Sequence, residues 1–408
     1  MSYSKAQIAN LCTLVTSGGT PLTSVPAYYD PKEVPWLKTG EVNYCRIYDT
    51  ENYISKEGLA RSSAKMIPAN SVVVAMYGQG DTAGRVAINK IPLSTNQACC
   101  NLVINHVIAD YEYVYYALCT LYDRLVALKN GGAQPNLNAK KIKAIEIPFP
   151  DLETQRTIAS ILGAYDNLIE NNQKQIKLLE EAAQRLYKEW FVDLRFPGYE
   201  DTPIVDGVPE GWSYKPLSAL FNFVRGKSYT SKELSDTSGV LMVNLKNIRA
   251  FGGYNRNAEK RFTGKYKDEQ ALYPGDLVMG VTDMTQERRL VGHTAIVPDL
   301  GEPMTFSMDL IKLVPLSIQK SYLYSSLYYG GYSFKISPLA NGVNVLHLKP
   351  EAMMNLQMLV PTGELMDAYG KVFDPIQSRI ELLQKQIDAA AESRDRLLPK
   401  LLNGEIEV

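Results

Sequence analysis

The tetrapeptide Gln173-Lys174-Gln175-Ile176 returns unchanged as Gln384-Lys385-Gln386-Ile387, and the segment around it returns with it. At the offset from 173 to 384, Pro150 falls on Pro361, Ile169 on Ile380 and Arg185-Leu186 on Arg396-Leu397. The chain is therefore two copies of one plan, a globular part followed by a long helix, which implies one task carried out at two places. Ile158, Leu162, Tyr165, Ile169, Asn172, Ile176, Leu179, Ala183, Leu186 and Trp190 alternate in steps of four and three. That is the a/d pattern of a coiled-coil seam, with only Asn172 polar. The copy reads Tyr369, Phe373, Ile376, Ile380, Leu383, Ile387, Ala390, Arg394, Leu397 and Leu401, with only Arg394 polar. A stripe this narrow needs a partner. Ordinary connectivity makes the other copy that partner, running antiparallel; packing on the parent domain or pairing with another molecule is the alternative.

The resulting architecture is α+β, with an internal pseudo-twofold repeat. Globular parts at 1–150 and 196–362 are separated by helices at 151–195 and 363–408. In the first half, Ser71–Tyr77 reads as a strand, Gly78–Gly84 as a tight loop and Arg85–Ile88 as the returning strand of a hairpin. The second half repeats this with Asp276–Val281, a loop over Thr282–Arg289, and Leu290–Val297. The frames match and the tips differ, as recognition of two different targets requires. A shorter helix is expected at Tyr111–Lys129, and another at Ser321–Ser333. The Pro- and Gly-dense stretch from Phe196 to Trp212 marks the junction of the halves.

Several function classes are disfavoured. The longest apolar run, Val72–Met76, is far short of a membrane span. The N-terminus lacks the basic start and apolar stretch of a secretory signal, so a cytoplasmic protein is expected. Five cysteines, all in the first half and without CxxC spacing, favour reduced thiols over a disulfide frame or zinc site. His106, His293 and His347 have no metal-ligand spacing. There is no G-x-x-x-x-G-K-[ST] phosphate loop, no Asn/Asp-Pro-Pro-aromatic methyltransferase motif, and no recognisable nucleophile with a base and an orienting acid. The expectation is a chain with no catalytic residues, metal or cofactor of its own. Net charge is −1, but it divides into +3 on residues 1–150, +2 on 201–362, and −3 on each of the helical segments 151–200 and 363–408. That split suits domains that meet phosphate and helices that meet protein.

An ordered series of short motifs adds to this. It comprises Ser17-Gly18-Gly19-Thr20-Pro21, Val34-Pro35-Trp36-Leu37-Lys38-Thr39-Gly40, Ala75-Met76-Tyr77-Gly78, Asn96-Gln97, and Ile147-Pro148-Phe149-Pro150 with Gln155-Arg156. Pro209-Glu210-Gly211-Trp212 opens the second half, and Leu397-Leu398-Pro399-Lys400-Leu401-Leu402-Asn403-Gly404-Glu405-Ile406 ends the chain. With the duplicated helix, this series resembles the specificity subunit of a type I restriction–modification enzyme over essentially its full length. The resemblance implies two mixed α/β target-recognition domains, each reading half of a bipartite double-stranded DNA target, separated by a pair of long antiparallel coiled-coil helices. It implies two modification methyltransferase subunits docked on the helices, with restriction–translocase subunits joining that core. S-adenosylmethionine, ATP and magnesium would belong to those partners. The second half departs from the pattern: Leu217–Leu220 and Gly226-Lys227-Ser228 stand where the first has its Gly-Thr-Pro and Pro-Trp-Leu pieces.

The seam from Ile158 to Trp190 spans roughly 50 Å at about 1.5 Å per residue, enough to separate two half-sites by about one to one and a half duplex turns. Candidate base contacts lie at the hairpin tips: Gln79, Asp81, Thr82 and Arg85 in the first half, Thr285, Gln286, Arg288 and Arg289 in the second. Arg reads guanine and Gln reads adenine in the major groove. Lys38, Lys140, Lys141 and Lys246 are candidates for phosphate, as are Lys143 and the cluster Arg256, Lys260, Arg261, Lys265 and Lys267. Competing readings are a self-contained DNA methyltransferase or nuclease with atypical motifs, and a coiled-coil adaptor that binds no DNA.

Overall fold

The computed structural model describes residues 3–129, 136–256, 258 and 260–408. They form two compact units, Met1–Asn171 with Gln386–Val408, and Asn172–Lys385. The division runs through both long helices, so each helix contributes one part to each unit. Both helices begin just after a proline. The Asp151 carboxylate accepts from the Thr154 amide at 2.8 Å, and the Thr362 hydroxyl from the Leu365 amide at 3.3 Å. These caps satisfy amides that lack a partner in the first turn. The first helix spans Leu152–Tyr187 and widens into a π turn at Lys188–Val192, short of the expected end at 195. The reason is local: Leu194 takes a left-handed φ of 57°, and the Arg195 amide folds back onto the Glu189 carbonyl at 2.7 Å. Seam position Trp190 therefore lies in the π turn. The second helix runs Gly363–Asn403.

In the first unit the helix parts pair antiparallel. Ile158, Ala159 and Leu162 share a core with Leu401 and Leu402, while Asp166, farther along the first helix, meets Arg394 at 2.6 Å. The other oxygen of Asp166 accepts from the Tyr116 hydroxyl at 2.6 Å, so the polar seam residue Arg394 closes a partly buried network. In the second unit Ala183 and Tyr187 share a core with Tyr369 and Phe373. Aromatic edges join that core to the π turn, with Phe191 4.7 Å from Tyr322 and 5.0 Å from Tyr369 between ring centres. Every seam position named above is buried or half-buried, and Asn172 is only 2% exposed.

The rest of the first unit holds two sheets. One has the order Cys12–Ser17, Cys99–Ile104, Ser71–Ala75, Val86–Asn89, Cys45–Ile47; the other Tyr53–Ile54, Val34–Leu37, Leu93–Thr95, Met66–Ile67. The second unit repeats the scheme. Phe221–Arg225, Leu310–Pro315, Leu277–Gly280 and Thr294–Ile296 form one sheet. Leu234–Ser235, Arg261–Phe262, Val240–Val243, Met304–Phe306 and Ala271–Leu272 form the other. Each unit has one matching parallel pair, Val34–Leu37 with Leu93–Thr95 and Val240–Val243 with Met304–Phe306. Each globular part is closed by a two-stranded ribbon, Lys5–Gln7 with Glu146–Pro148 and Ser213–Pro216 with Gln357–Val360. Buried Gln155 ties this closure together, donating to the Pro150 carbonyl at 2.9 Å and accepting from the Asp110 amide at 3.0 Å.

Backbone contact places the start of the second half, which sequence motifs leave open. A side chain on Gly18 would lie 2.1 Å from the Thr95 carbonyl oxygen, and one on Gly226 would lie 2.0 Å from that of Ser307. Both glycines end the first strand of their sheet where it crosses the parallel pair, so Gly226 is the counterpart of Gly18. The shorter helix of each half is broken in two, Tyr111–Cys119 with Tyr122–Ala127 and Lys320–Tyr328 with Tyr332–Ile336. In the second half the break is made by Gly330-Gly331, the latter at φ 73°.

Asp166→Leu should leave the Arg394 guanidinium short of its partner and destabilise the first unit by about 3 kcal/mol. The double variant Asp166→Leu/Arg394→Leu should recover most of that. Thermal melting of the three proteins checks both outcomes.

Candidate nucleic-acid interface

The first hairpin pairs Val72 with Ile88 and Val74 with Val86, and all four side chains are buried, so only its tip reaches the surface. At the tip Gly78, Gln79, Gly80 and Asp81 are exposed, while Thr82 and Arg85 are half-buried. The Thr82 hydroxyl donates to the Gln79 carbonyl at 2.7 Å, and Arg85 donates to Asp81 at 2.6 Å and to the Asn43 amide oxygen at 2.9 Å. The hydrogen bond from Arg85 holds the Asp81 carboxyl below the usual carboxylate range. The turn at Lys38 lies against this tip, because a side chain on Gly78 would come within 3.4 Å of the Thr39 hydroxyl. Lys38 is exposed, with its ammonium 2.9 Å from Asn52 and 5.1 Å from the centre of the Trp36 ring.

In the second unit the tip is organised by Asp283, fully buried and absent from the sequence-derived candidates. One of its oxygens accepts from the Thr285 amide and hydroxyl, both at 2.8 Å; the other accepts from the amides of Leu290 at 2.6 Å and Val291 at 3.3 Å. Burial alone would raise its pKa, but these hydrogen bonds outweigh it and hold the carboxyl below 3.8. Thr285, Gln286 and Arg289 are thereby presented to solvent, with Arg288 half-buried at a left-handed φ of 53°. Gln286 donates to the Val343 carbonyl at 2.7 Å, and Arg289 pairs with Glu287. Exposed Lys246 sits in a turn beside the hairpin, where a side chain on Gly280 would meet Leu245 at 3.3 Å. The structure thus groups Lys38 with the first tip and Lys246 with the second.

Other candidates are engaged elsewhere. The ammonium of half-buried Lys141 caps the Leu128 carbonyl, and exposed Lys140 lies on the same short helix, Ala139–Lys143. Arg256 pairs with Glu381 at 2.5 Å, Arg261 with Glu302 at 2.7 Å, and Lys260 donates to Tyr229 at 3.1 Å. The charge split consequently has an internal use. In the second unit Arg256 meets Glu381 and Arg249 lies 3.9 Å from Glu180, while helix residue Lys385 pairs in the opposite sense with Asp299 of the globular part at 2.7 Å. In the first unit nearly enclosed Arg46 reaches Asn167 at 2.5 Å and Glu170 at 3.6 Å, and Tyr48 donates to Glu170 at 2.9 Å. Part of the basic excess of the globular parts is therefore held by the acidic helices and is not free for phosphate. Among the described residues no cluster of His, Cys, Asp and Glu could hold a metal ion.

Each tip also adjoins an aromatic pair. Tyr44 and Phe251 follow the Lys38 and Lys246 turns, take left-handed φ values of 52° and 65°, and are 38% and 46% exposed. The Tyr44 amide donates to Val86 on the returning strand at 2.8 Å, and the Phe251 amide to Arg289 in the tip loop at 2.7 Å. Tyr44 meets Tyr122 with ring centres 6.4 Å apart, and Phe251 stacks on Phe334 at 6.1 Å. The sequence signal, an aromatic residue shortly after each turn lysine, is too common to single out.

Two units of one design, each offering a polar hairpin tip beside a lysine turn and each built on parts of both long helices, make an internally duplicated protein. Residues 3–181 match the family described as the type I restriction modification DNA specificity domain. The chain is 26% identical to the type I restriction enzyme MjaIX specificity subunit of Methanocaldococcus jannaschii, over 97% of this chain and 91% of that protein. It is 23% identical to the MjaVIII specificity subunit of the same organism, over 86% and 84%. The fold is similar to the crystal structure of a type I restriction–modification S subunit from M. genitalium, with a TM-score of 0.65 at 17% identity, over 98% and 96% of the two chains. Along most of its length the chain is thus similar to type I restriction enzyme specificity subunits.

Because Asp283 is held below its ordinary pKa, its contribution to the second tip is present above pH 4 and fades as the pH falls through its lowered value. At neutral pH, Asp283→Ala should speed hydrogen exchange at the Leu290 and Val291 amides about tenfold or more. Exchange within the buried strands of the same sheet should stay slow.

Proposed function

We propose that each globular part reads one half of a bipartite duplex target, while the paired helices set the gap between the halves and dock two modification methyltransferase subunits. The observation that carries this is the combination of matched frames with unlike tips, Gln79–Arg85 against Thr285–Arg289, in a chain similar to specificity subunits. At the first tip Gln79 offers both a donor and an acceptor for adenine and Arg85 a fork for guanine; at the second, Gln286 and Arg289 supply the same chemistry at a different spacing. Lys38 and Lys246 hold phosphate and fix register. Lys140 adds a phosphate contact on the first unit, while Lys141 supports the fold. The helices act as a rod whose stiffness comes from the buried seam. The chain is non-catalytic: S-adenosylmethionine, ATP and magnesium are bound by its methyltransferase and restriction–translocase partners, and the assembly works in the cytoplasm.

The closing ribbons make the domains exchangeable, because residues 1–150 begin and end on one two-stranded pairing. Replacing 1–150 with the same region of a relative should change one half-site and leave the other intact, as read by mapping methylated positions genome-wide. A simultaneous change of both halves would refute independent reading.

Inserting four residues after Gln175 adds about 6 Å and roughly one helical turn, which nearly preserves the facing of the seam. The preferred gap should lengthen with both half-sequences unchanged. An unchanged gap with retained activity would show that the helices are not the ruler.

A further inference from the structure

The aromatic pairs beside the two tips have no role in the fold that requires their exposure. Phe251 and Phe334 stack on each other while 46% and 56% exposed, with buried His293 set edge-on beneath both rings. Tyr44 stands over Tyr122, whose hydroxyl donates to the Asp81 carbonyl in the first tip at 2.8 Å. A left-handed backbone is unfavourable for a bulky residue, and such strain persists where surrounding structure enforces it. Here it occurs once in each unit, at different positions, because the strand register that sets Val74 opposite Val86 sets Met279 opposite Thr294, whose carbonyl takes the Gly253 amide; both times it holds a ring beside a hairpin tip. One exposed aromatic residue would be ordinary surface. A strained, exposed ring braced by a second ring beside a hairpin tip, found in each unit, is not.

We infer that Tyr44 and Phe251, each braced by its neighbour, form two apolar DNA contacts that pack on deoxyribose rings and thymine methyl groups beside the bases read by the tips. The occupant follows from the surroundings. Arg85 and Asn43 lie beside Tyr44, and the Phe251 amide donates to the carbonyl of the tip residue Arg289, so both rings adjoin tips that carry groups suited to base edges and phosphate. Apolar contact with thymine methyls is an established mode of major-groove reading. Such contacts discriminate by shape and release no counterions, unlike those of Lys38 and Lys246. This inference rests on the DNA-reading role proposed above.

The test uses the full chain assembled with its methyltransferase subunits and a duplex carrying the methylated sequence mapped in the host. Tyr44→Gly and Phe251→Gly suit the left-handed backbone, so melting temperature should hold or rise while affinity for that duplex falls about tenfold. The salt dependence of binding should keep its slope, whereas Lys38→Ala should reduce the slope by about one. Tyr44→Phe and Phe251→Tyr should retain binding. Unchanged affinity in both glycine variants beside a tightly binding wild type would overturn the inference alone. Loss of methyltransferase subunits from the purified variants would overturn it in favour of a protein-docking surface. A wild-type assembly that preferred no sequence would overturn the DNA-reading role and this inference with it.

Discussion

Burial of one narrow apolar stripe on each long helix is the constraint on which the remaining structure depends. Neither stripe is wide enough to make a domain core, so each is covered by a part of the other helix and by the globular part beside it. In the first unit Ile158 and Leu162 lie in the same core as the hairpin strand Ser71–Ala75 through Val72 and Val74. In the second, Tyr187 and Phe373 share theirs with the hairpin strand through Leu277 and Met279. The seam and the hairpin that carries each candidate tip are thus one packed body within each unit. An orientation set at the helix is passed to the tip through close-packed side chains rather than through a linker.

Electrostatics supplements that packing. Arg46, on a strand of the first unit, and Arg256, in a turn of the second, reach across to acidic groups on the helices. Exposed ion pairs contribute little stability, but the Arg46 side chain is only 5% exposed and its geometry is constrained by several partners at once. Such contacts resist rotation of a sheet on its helix, which apolar packing alone resists weakly. They also account for the charge difference between the globular parts and helices, which by itself looks like a sign of phosphate binding.

Arg394 was visible in the sequence as a break in an apolar pattern, while its partner Asp166 was not. Adjacent numbers carry no hint that positions 166 and 394 meet; the antiparallel pairing brings them together and adds Tyr116 from the globular part. Asp283 is a similar case. Its neighbourhood reads as an ordinary polar loop, and only closure of that loop turns one carboxylate into the acceptor for four donors.

The sequence by itself determined the duplication, the helix pair, the hairpins and their unlike tips, because these depend on periodicity and on turn residues close together in the chain. It also carried the resemblance to type I specificity subunits, through short motifs in a fixed order. Tertiary structure decided what depends on distant residues meeting. It matched Gly226 to Gly18 by backbone contact, broke the shorter helices, and ended the first long helix at a left-handed Leu194. It moved Lys141 and much of the basic cluster from the candidate interface to internal partners, and it set Tyr44 and Phe251 beside the tips. Local pattern fixes which elements form; which side chains remain available for a ligand is settled only when those elements pack.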